Sequence, residues 1–366
     1  MPPVAGGATE KSWHELSLEF ARLGHNVTVI SRRHPGWPDR EIRDGVKHAR
    51  LCGYAHTKYL SLNLCLDFLW SLRVTRALPS ADVTVSNCIA LPLWLGWIRR
   101  AGKVVVMTGR LPKGQYRWYR RIDQVLASSS MLESAVLAEN PRLAGRIKVC
   151  GYPIGWAALS PSRGSPRPAG PLTLGYVGRI HREKGLDILV AALADLTRRP
   201  GLPAWRVVLC GPQSVAEGGS GEDYARTVER SLTAWLPPGT CELLPPVFAP
   251  ARLAEVYRKI DVFCYPSVAI KGETFGVAVA EAMAAGAVPV VSDLPCFADF
   301  VRPGRNGLVF EHGAPDRVIR LADCLEQLLQ DGALRARLAA QAVLDSRRFD
   351  YPVVAKAILD DFERLD

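Results

Sequence analysis

Residues 172–196 have the sequence LTLGYVGRIHREKGLDILVAALADL, which changes character twice. Its first part, residues 172–177, is apolar and β-branched as in a buried strand, and its last part, residues 186–196, is rich in Leu and Ala as in a helix packed on a sheet. A glycine-containing turn joins them. A strand that passes through such a turn into a helix is the repeating unit of α/β folds, in which ligands bind beyond the carboxyl ends of the strands. The stretch therefore predicts an α/β sheet with a ligand site at this turn.

The turn carries two permanent cations, Arg179 and Lys184, at the predicted carboxyl edge of the sheet. Gly178 permits a tight turn there, and a guanidinium beside an ammonium suits phosphate oxygens. We therefore predict that Gly178, Arg179 and Lys184 bind a diphosphate. A surface salt bridge at Arg179 is an equally good interpretation of this segment taken alone.

A second anion site is predicted within residues 273–286, ETFGVAVAEAMAAG. The Ala-rich run from Val277 lacks Pro, ends at a glycine and precedes a strand-like segment, so it predicts a short buried helix. The first amides of a helix lie at the positive end of its dipole, and Gly276 lets a phosphate approach the main chain closely. We therefore expect phosphate contacts at the amides of Phe275, Gly276 and Val277.

Two glutamates bracket this helix start. Glu281 lies about one turn into the predicted helix, where its neighbours three and four residues away are apolar. A carboxylate on such a face is costly unless it is hydrogen-bonded, and a ribose diol one turn from a bound diphosphate would satisfy it. Glu273 precedes the helix, where the sugar end of a nucleotide-sugar would reach it. The alternative is a helix-terminal charge at Glu273 and a solvated acid at Glu281.

Elsewhere the chain alternates apolar runs with helical stretches, which indicates parallel sheets covered on both faces. Candidate strands are residues 26–31, 82–87, 103–108, 124–128 and 147–151 in the first half, and residues 172–177, 206–210, 241–244, 261–265 and 288–292 in the second. A segment rich in Pro and Ser separates the halves. The predicted organisation is a Rossmann-like domain at 1–155, a linker at 156–170, a second Rossmann-like domain at 171–346, and a helical segment at 347–366 that crosses back to the first domain.

Composition limits the class of protein. A chain of 366 residues with 48% hydrophobic and 22% charged residues is typical of a globular protein with two domains. The nine cysteines are scattered singly, without Cys-x-x-Cys or Cys/His clusters, so neither a disulfide framework nor a zinc site is indicated and a reducing cytoplasm is expected. No apolar run reaches the length of a membrane span.

Positive charge is concentrated in the first half, where residues 1–160 contain 22 lysines and arginines against 11 aspartates and glutamates. This excess favours an anionic partner there, such as a phosphate-bearing acceptor or an anionic lipid surface. Residues 60–78 have the pattern of an amphipathic helix, which suits either a membrane surface or packing on a sheet. Basic and aromatic residues alternate at 110–121, but no nucleic-acid-binding motif accompanies them, and nucleic acid is not an expected partner.

The pairing of Gly-Arg-x4-Lys-Gly at 178–185 with Glu-x7-Glu at 273–281 resembles the retaining glycosyltransferases of family 4, which have the GT-B fold of two Rossmann-like domains facing across a cleft. Further similar features are the Tyr-Pro-Ser at 265–267, the Asn-Gly-Leu-Val-Phe at 306–310, the diglycine at 6–7 and the Phe-Asp-Tyr at 349–351. The resemblance covers nearly the whole chain and is most specific from 172 to 311.

The resemblance implies a role for each matched residue of the second half. Arg179 and Lys184 would neutralise the leaving diphosphate, assisted by the amides at the helix start. Glu281 would accept both ribose hydroxyls, and Glu273 would contact hydroxyls of the transferred sugar. The backbone around Val247 would contact the base. On this basis Arg179, Lys184 and Glu273 are the expected catalytic residues.

The resemblance also implies an activity: transfer of a sugar, with retention and without a metal or other cofactor, from a nucleotide-diphosphate sugar to an acceptor hydroxyl. The expected acceptor is a glycan or a lipid-linked molecule in the biosynthesis of cell-surface polysaccharide or glycolipid, in the cytoplasm or at the inner face of the cytoplasmic membrane. Two alternatives remain open, a non-catalytic nucleotide-sugar-binding protein on the same fold and glycosylation of a secondary metabolite.

Two features of the first half depart from the family's pattern. The diglycine loop, Gly6 and Gly7, would approach the diphosphate from the first domain, yet only residues 1–5 precede it, too few for a full central strand. We therefore expect the original start to lie upstream. Many relatives place a histidine where this chain has Thr108, and we predict that Thr108, Arg110 and Lys113 line the acceptor cleft instead.

Overall fold

The computed structural model describes residues 8–55, 57–160 and 170–365, without the side chain of Ala8. These residues divide into two compact units, the first formed by residues up to 153 together with those from 351 onward, and the second by residues 154–350. The predicted diglycine loop, Gly6 and Gly7, and the predicted linker residues 161–169 lie outside the described residues.

The first unit begins with helix α1 (Ala8–Arg22) and strands β1 (Thr28–Arg32), β2 (Arg40–Arg43) and β3 (Val46–Leu51). It continues through α2 (Leu60–Ala77), β4 (Val83–Ser86), α3 (Pro92–Leu95), β5 (Lys103–Thr108), β6 (Gln124–Ala127), α4 (Ser130–Glu139) and β7 (Ile147–Val149). Strands β4, β5, β6 and β7 form a parallel sheet in that order, and β1, β3 and β2 form a second sheet.

The second unit contains α5 (Trp156–Leu159), β8 (Leu172–Val177), α6 (Leu186–Leu196), β9 (Trp205–Cys210), α7 (Glu222–Trp235), β10 (Cys241–Leu244) and α8 (Pro250–Arg258). It ends with β11 (Val262–Tyr265), α9 (Val277–Ala284), β12 (Val288–Ser292), β13 (Leu308–Phe310), α10 (Arg317–Gln330) and α11 (Gly332–Ser346), before α12 (Tyr351–Phe362) returns to the first unit. Its sheet is parallel throughout, in the order β10-β9-β8-β11-β12-β13.

The four-stranded sheet of the first unit is covered on both faces, because alternate residues of its strands enter different hydrophobic cores. Val104 and Val106 of β5 pack in one core, whereas Val105 packs in the other. This second core also contains Leu16 of α1 and Ile358 of α12. The alternation explains why β5 is apolar from Val104 to Met107, as expected of a strand buried on both sides.

The sequence did not predict strands β2 and β3. Between them, Asp44 and Gly45 have φ angles of 50° and 80°, the left-handed pair that two-residue hairpin turns favour, and the two strands pair antiparallel. Strand β3 reads VKHARL, and burial of Val46, His48 and Arg50 on one face is what makes it a strand. Its hydrophobic pattern is interrupted by cations, which is why the sequence pattern missed it. Strands β1 and β4 each lie at an end of their sheet.

The predicted linker at 156–170 is wrong in its first part. Residues 156–159 form α5, and Trp156 donates from its main-chain amide to Asp350 Oδ1 at 3.1 Å and from its indole to Val343 O at 3.0 Å. The segment is therefore packed within the second unit, because its tryptophan has hydrogen-bond partners nearly 190 residues or more later in the chain, which a linker prediction based on Pro and Ser cannot anticipate. Strand β13, which was not among the predicted strands, contains the end of the Asn-Gly-Leu-Val-Phe motif.

Candidate functional site

The two predicted phosphate-binding segments follow neighbouring strands of the second sheet. The 178–185 loop follows β8, the 266–276 loop follows β11, and these strands pair directly through Leu174 and Val262. Gly185 joins the loops: its φ is 67°, and a Cβ atom there would lie 2.0 Å from the carbonyl oxygen of Pro266. Only glycine fits that approach, so this residue brings both loops to one carboxyl edge.

Lys184 and Glu273 form a buried ion pair at this edge. Lys184 Nζ donates to Glu273 Oε2 at 2.7 Å, and both side chains are almost fully buried. The ammonium also lies 5.5 Å from the centre of the Tyr265 ring. Burial, together with the charge of Glu273, raises the pKa of Tyr265 well above its ordinary value, so its hydroxyl stays protonated beside the carboxylate. Glu273 therefore fixes the position of Lys184.

Arg179 is held by two contacts and remains 41% exposed at its side chain. Its Nη1 donates to Gly218 O at 2.8 Å and its Nη2 donates to Glu183 Oε1 at 2.6 Å. A guanidinium has five N–H donors, so these contacts orient the group and leave donors for a phosphate. The salt bridge that the sequence offered as an alternative is present, and it holds the Arg179 guanidinium in place.

Glu183 ties the two loops together and was not singled out from the sequence. Its carbonyl oxygen accepts a hydrogen bond from Val268 N at 2.9 Å, and its carboxylate lies 4.0 Å from Lys184 Nζ as well as bonding Arg179. Its four-residue spacing from Arg179 was no signal, because that spacing pairs opposite charges on a helix and Arg179 lies in a loop.

Helix α9 begins at Val277, with Gly276 as its N-cap, in agreement with the predicted helix start. Gly276 has a φ of 92°, and a Cβ atom there would lie 2.5 Å from Cε1 of Phe297. The first amides of the helical ladder, those of Val279 and Ala280, donate to Gly276 O. The amides of Gly276 and Val277 precede that ladder, at the positive end of the helix dipole.

The side chain of Phe275 contributes to the core rather than to the site. It is buried, and its ring centre lies 4.9 Å from that of Phe300 and 5.1 Å from that of Phe349. Any ligand contact at Phe275 would therefore involve its main chain, as the sequence prediction supposed.

Glu281 is buried in α9 and receives a hydrogen bond from the hydroxyl of Tyr257, 2.9 Å from its Oε2. Burial and the Glu281 charge raise the pKa of Tyr257 well above its ordinary value, so Tyr257 remains a donor at every physiological pH. Tyr257 thus supplies the partner that a buried carboxylate requires, and it was missed because it lies at the end of α8, 24 residues earlier.

Val247 and Gly178 lie at the same carboxyl edge. Gly178 directly follows β8, and its amide donates to Cys210 O at 2.9 Å. Val247 follows β10, at one end of the sheet, and is half-buried beside the exposed Phe248. The predicted donor-binding residues of the second half therefore gather on one edge of one sheet.

The predicted acceptor residues lie in the first unit, around the carboxyl end of β5. Arg110 and Lys113 are exposed. Thr108 requires a correction: it is only 4% exposed, and its hydroxyl is hydrogen-bonded to that of Tyr116, so it supports the loop from inside instead of lining a cleft. Burial of Tyr116 raises the pKa of its phenol, which keeps this hydroxyl pair neutral.

The sequence pattern of the glycosyl transferases group 1 family matches residues 162–344, which is half of the chain and includes both predicted phosphate-binding loops. The chain belongs to this family. Among the relatives with assigned names, D-inositol 3-phosphate glycosyltransferase from Rhodococcus erythropolis is 34% identical over 199 residues, which cover 53% of this chain and 42% of that protein. Phosphatidyl-myo-inositol mannosyltransferase from Mycobacterium tuberculosis is 39% identical over 116 residues, which cover 31% of this chain and 30% of that protein.

This chain therefore spans less than two thirds of the length of the curated relatives that it matches. Solved structures with the same fold include sucrose-phosphate synthase from Thermosynechococcus elongatus, with a TM-score of 0.77, 21% identity and coverage of 98% of this chain and 94% of that one. The Anabaena protein HepE in complex with UDP and glucose has a TM-score of 0.72 and 17% identity, over 100% and 97% of the two chains. The predicted fold class, an α/β GT-B protein with two Rossmann-like domains, is confirmed.

Proposed function

We propose that this chain is a retaining glycosyltransferase of family 4 that transfers a sugar from a nucleotide-diphosphate sugar to an acceptor hydroxyl. The observation that supports it most is the convergence, on one edge of the second sheet, of a buried Lys184–Glu273 pair, an oriented Arg179 and the start of helix α9. Fixed cations and a helix N-terminus together match the charge of a diphosphate leaving group.

In the proposed reaction the acceptor oxygen bonds to the anomeric carbon on the face from which the diphosphate departs. The bond from that carbon to the diphosphate oxygen breaks, and the acceptor proton passes to the leaving phosphate, so atoms and charge balance without a redox step. Arg179 and Lys184 stabilise the developing negative charge, and Glu273 contacts sugar hydroxyls while holding Lys184. We propose that these cations remove the need for a metal ion or other cofactor.

The proposed acceptor is a polyol phosphate or a lipid-linked glycan, used in building a cell-surface polysaccharide or glycolipid. The names of the relatives support it, since one acts on D-inositol 3-phosphate and another on phosphatidyl-myo-inositol. The excess of cations in residues 1–160 supports it too, because an anionic acceptor is attracted to a positive surface.

A screen of nucleoside diphosphates and their sugars tests the donor assignment. A ligand that binds the native state raises its melting temperature, by an amount that grows with the logarithm of its concentration above Kd. We expect one nucleoside diphosphate to raise the Tm, and the matching nucleotide-sugar to yield a product whose anomeric configuration, read from proton coupling constants, equals that of the donor. An inverted product would contradict the retaining mechanism, and no shift with any nucleotide would contradict the donor site.

Helix α2 supports contact with an anionic membrane. None of the helices in the described part of the chain combines the length and apolar character needed to span a bilayer. The first half of α2 nevertheless exposes several large apolar side chains, including Leu60 (54%), Leu64 (42%) and Phe68 (46%). Its carboxylate, Asp67, is turned inward and accepts hydrogen bonds from the amides of Ile89 and Ala90. The exposed face is therefore apolar and free of acid, as an interfacial helix requires.

We expect the chain to sediment with vesicles that contain phosphatidylglycerol and not with phosphatidylcholine vesicles, with binding that weakens as salt rises. The double substitution Leu64→Gln and Phe68→Gln should lower the partition coefficient about tenfold or more, since each side chain buries apolar area in the interface. Leu344→Gln, at a 65% exposed leucine of the second unit, is the matched control and should have no effect. Equal sedimentation of the double variant would remove α2 as the membrane contact.

A further inference from the structure

A basic pocket opens at the amino-terminal edge of the parallel sheet of the first unit. Its volume is about 650 Å³, and the charged residues that line it are Asp82, Lys103, Arg120, Arg121, Asp123 and Arg146. Each of them lies at or just before the start of a strand from β4 to β7. The pocket is therefore built where the chain enters the sheet, at the end opposite to Thr108.

The four cations of this pocket have no carboxylate partner within the part of the chain that the structure describes. Lys103, Arg120, Arg121 and Arg146 form no ion pair there. Of the two aspartates that line the pocket, Asp123 already has a hydrogen-bond partner, because its Oδ2 accepts a hydrogen bond from the main-chain amide of Val104 at 2.7 Å. Like charges that converge on one space repel each other unless an anion joins them.

Two arginines of the pocket are partly oriented by neighbouring groups. The guanidinium of Arg121 lies 5.3 Å from the ring centre of Trp97. Arg146 Nη1 approaches Ile122 O at 3.5 Å, the limit of a hydrogen bond. Stacking on an aromatic ring occupies the face of a guanidinium and leaves its N–H edge for a ligand.

Close backbone approaches form the wall of this pocket. A Cβ atom on Gly96 would lie 2.1 Å from the carbonyl oxygen of Arg121, and one on Gly102, whose φ is 59°, would lie 2.1 Å from that of Asp82. Glycine at both positions lets three entry loops meet without side chains between them. The backbone part of the pocket is thus set by how the loops pack, and the exposed side chains of Arg120, Arg121 and Arg146 complete it.

We propose that this pocket binds a small soluble molecule that carries two or more phosphate groups. A volume of about 650 Å³ suits a metabolite-sized ligand, and arginines on separate segments match several phosphate oxygens at once. Strand β5 is six residues long, so the pocket lies roughly 17 Å from the carboxyl end of that strand at about 3.3 Å per residue. The ligand is therefore an anion that binds away from the carboxyl edge of this sheet. The donor-binding residues predicted in the second half of the chain lie in the other unit, so this inference does not depend on the proposed function.

Calorimetric titration of the full chain with sodium tripolyphosphate at low salt tests the pocket. We expect binding that the double variant Arg121→Gln/Arg146→Gln weakens at least tenfold, because each lost charge-assisted contact lowers affinity severalfold or more. Arg142→Gln is the matched control, because Arg142 is an exposed arginine of the same unit outside the pocket. This variant should bind tripolyphosphate with the same affinity as the unsubstituted chain.

Circular dichroism checks whether the double variant is folded. If it is unfolded, the single variant Lys103→Gln tests the pocket in its place. Any tripolyphosphate that binds at the donor site does so in all these variants, so it cannot produce a difference in affinity between them. Equal affinity in the unsubstituted chain and the pocket variants would overturn the proposal. So would pocket variants that lose binding to phosphatidylglycerol vesicles while their affinity for tripolyphosphate is unchanged, since the pocket would then recognise a membrane surface.

Discussion

Replacing Lys184 with alanine is expected to lower kcat by about 10²–10³-fold, because the change removes one preorganised charge from the leaving diphosphate. It is also expected to destabilise the chain by about 3–5 kcal/mol. Lys184 and Glu273 are both almost fully buried at 2.7 Å, and removal of one partner leaves an uncompensated buried charge. Steady-state kinetics and urea unfolding measure the two effects.

The double variant Lys184→Met/Glu273→Leu separates catalysis from stability. Replacing both members of a buried ion pair with apolar residues of similar volume is often neutral for stability or better. We therefore expect the double variant to recover most of the lost unfolding free energy while its turnover stays as low as that of Lys184→Ala. A double variant that regains turnover together with stability would show that the pair has only a structural role.

Lys356→Ala is the matched control for this series. Lys356 also forms an ion pair, with Asp360 at 2.8 Å, but both side chains are exposed. Surface pairs of this kind contribute about 0–1 kcal/mol, so neither turnover nor stability should change noticeably. The contrast between the two lysines isolates burial as the cause of the first effect.

The parts of the site that follow from local sequence could be predicted. Helix α6 and strand β8 occupy the residues expected of them, and helix α9 starts directly after Gly276, because the turn, the glycine and the apolar runs are adjacent in the chain. Gly185 is a partial case. The sequence predicts that it lies in the turn, whereas its contact with the carbonyl of Pro266 depends on the pairing of β8 with β11.

Side-chain partners distant in sequence could not be predicted. Lys184 and Glu273 are 89 residues apart, and each looked like a ligand contact before the fold joined them to each other. Thr108 illustrates the same limit, since its position at a strand end suggested a cleft while the hydroxyl of Tyr116 reaches it from the following loop. A polar side chain that is buried must find a hydrogen-bond partner, and the tertiary fold determines which side chains are buried together.

Glu281 is expected to determine how the chain distinguishes a ribonucleotide from its deoxy analogue. If its carboxylate accepts both ribose hydroxyls, the nucleoside diphosphate that gives the largest thermal shift should bind about tenfold more tightly than its 2′-deoxy form, since a hydrogen bond to a charged group contributes about 1.5–3 kcal/mol. Glu281→Ala should weaken the ribonucleotide by about 10–100-fold and abolish the discrimination. Titration calorimetry of the two nucleotides with the unsubstituted chain and with the Glu281→Ala variant gives the four affinities of the thermodynamic cycle.

Tyr257→Phe is the control that separates the ribose contact from the internal one. It removes the hydroxyl 2.9 Å from Glu281 Oε2 and keeps the ring, which lies 5.9 Å from that of Phe263. We expect a loss of about 1–3 kcal/mol of unfolding free energy, because a buried carboxylate loses a donor, with the preference for ribose retained. If Tyr257→Phe abolished that preference while Glu281→Ala preserved it, the tyrosine would be the ribose contact and the carboxylate only its support. If neither change altered it, the sugar of the nucleotide would bind elsewhere on this edge.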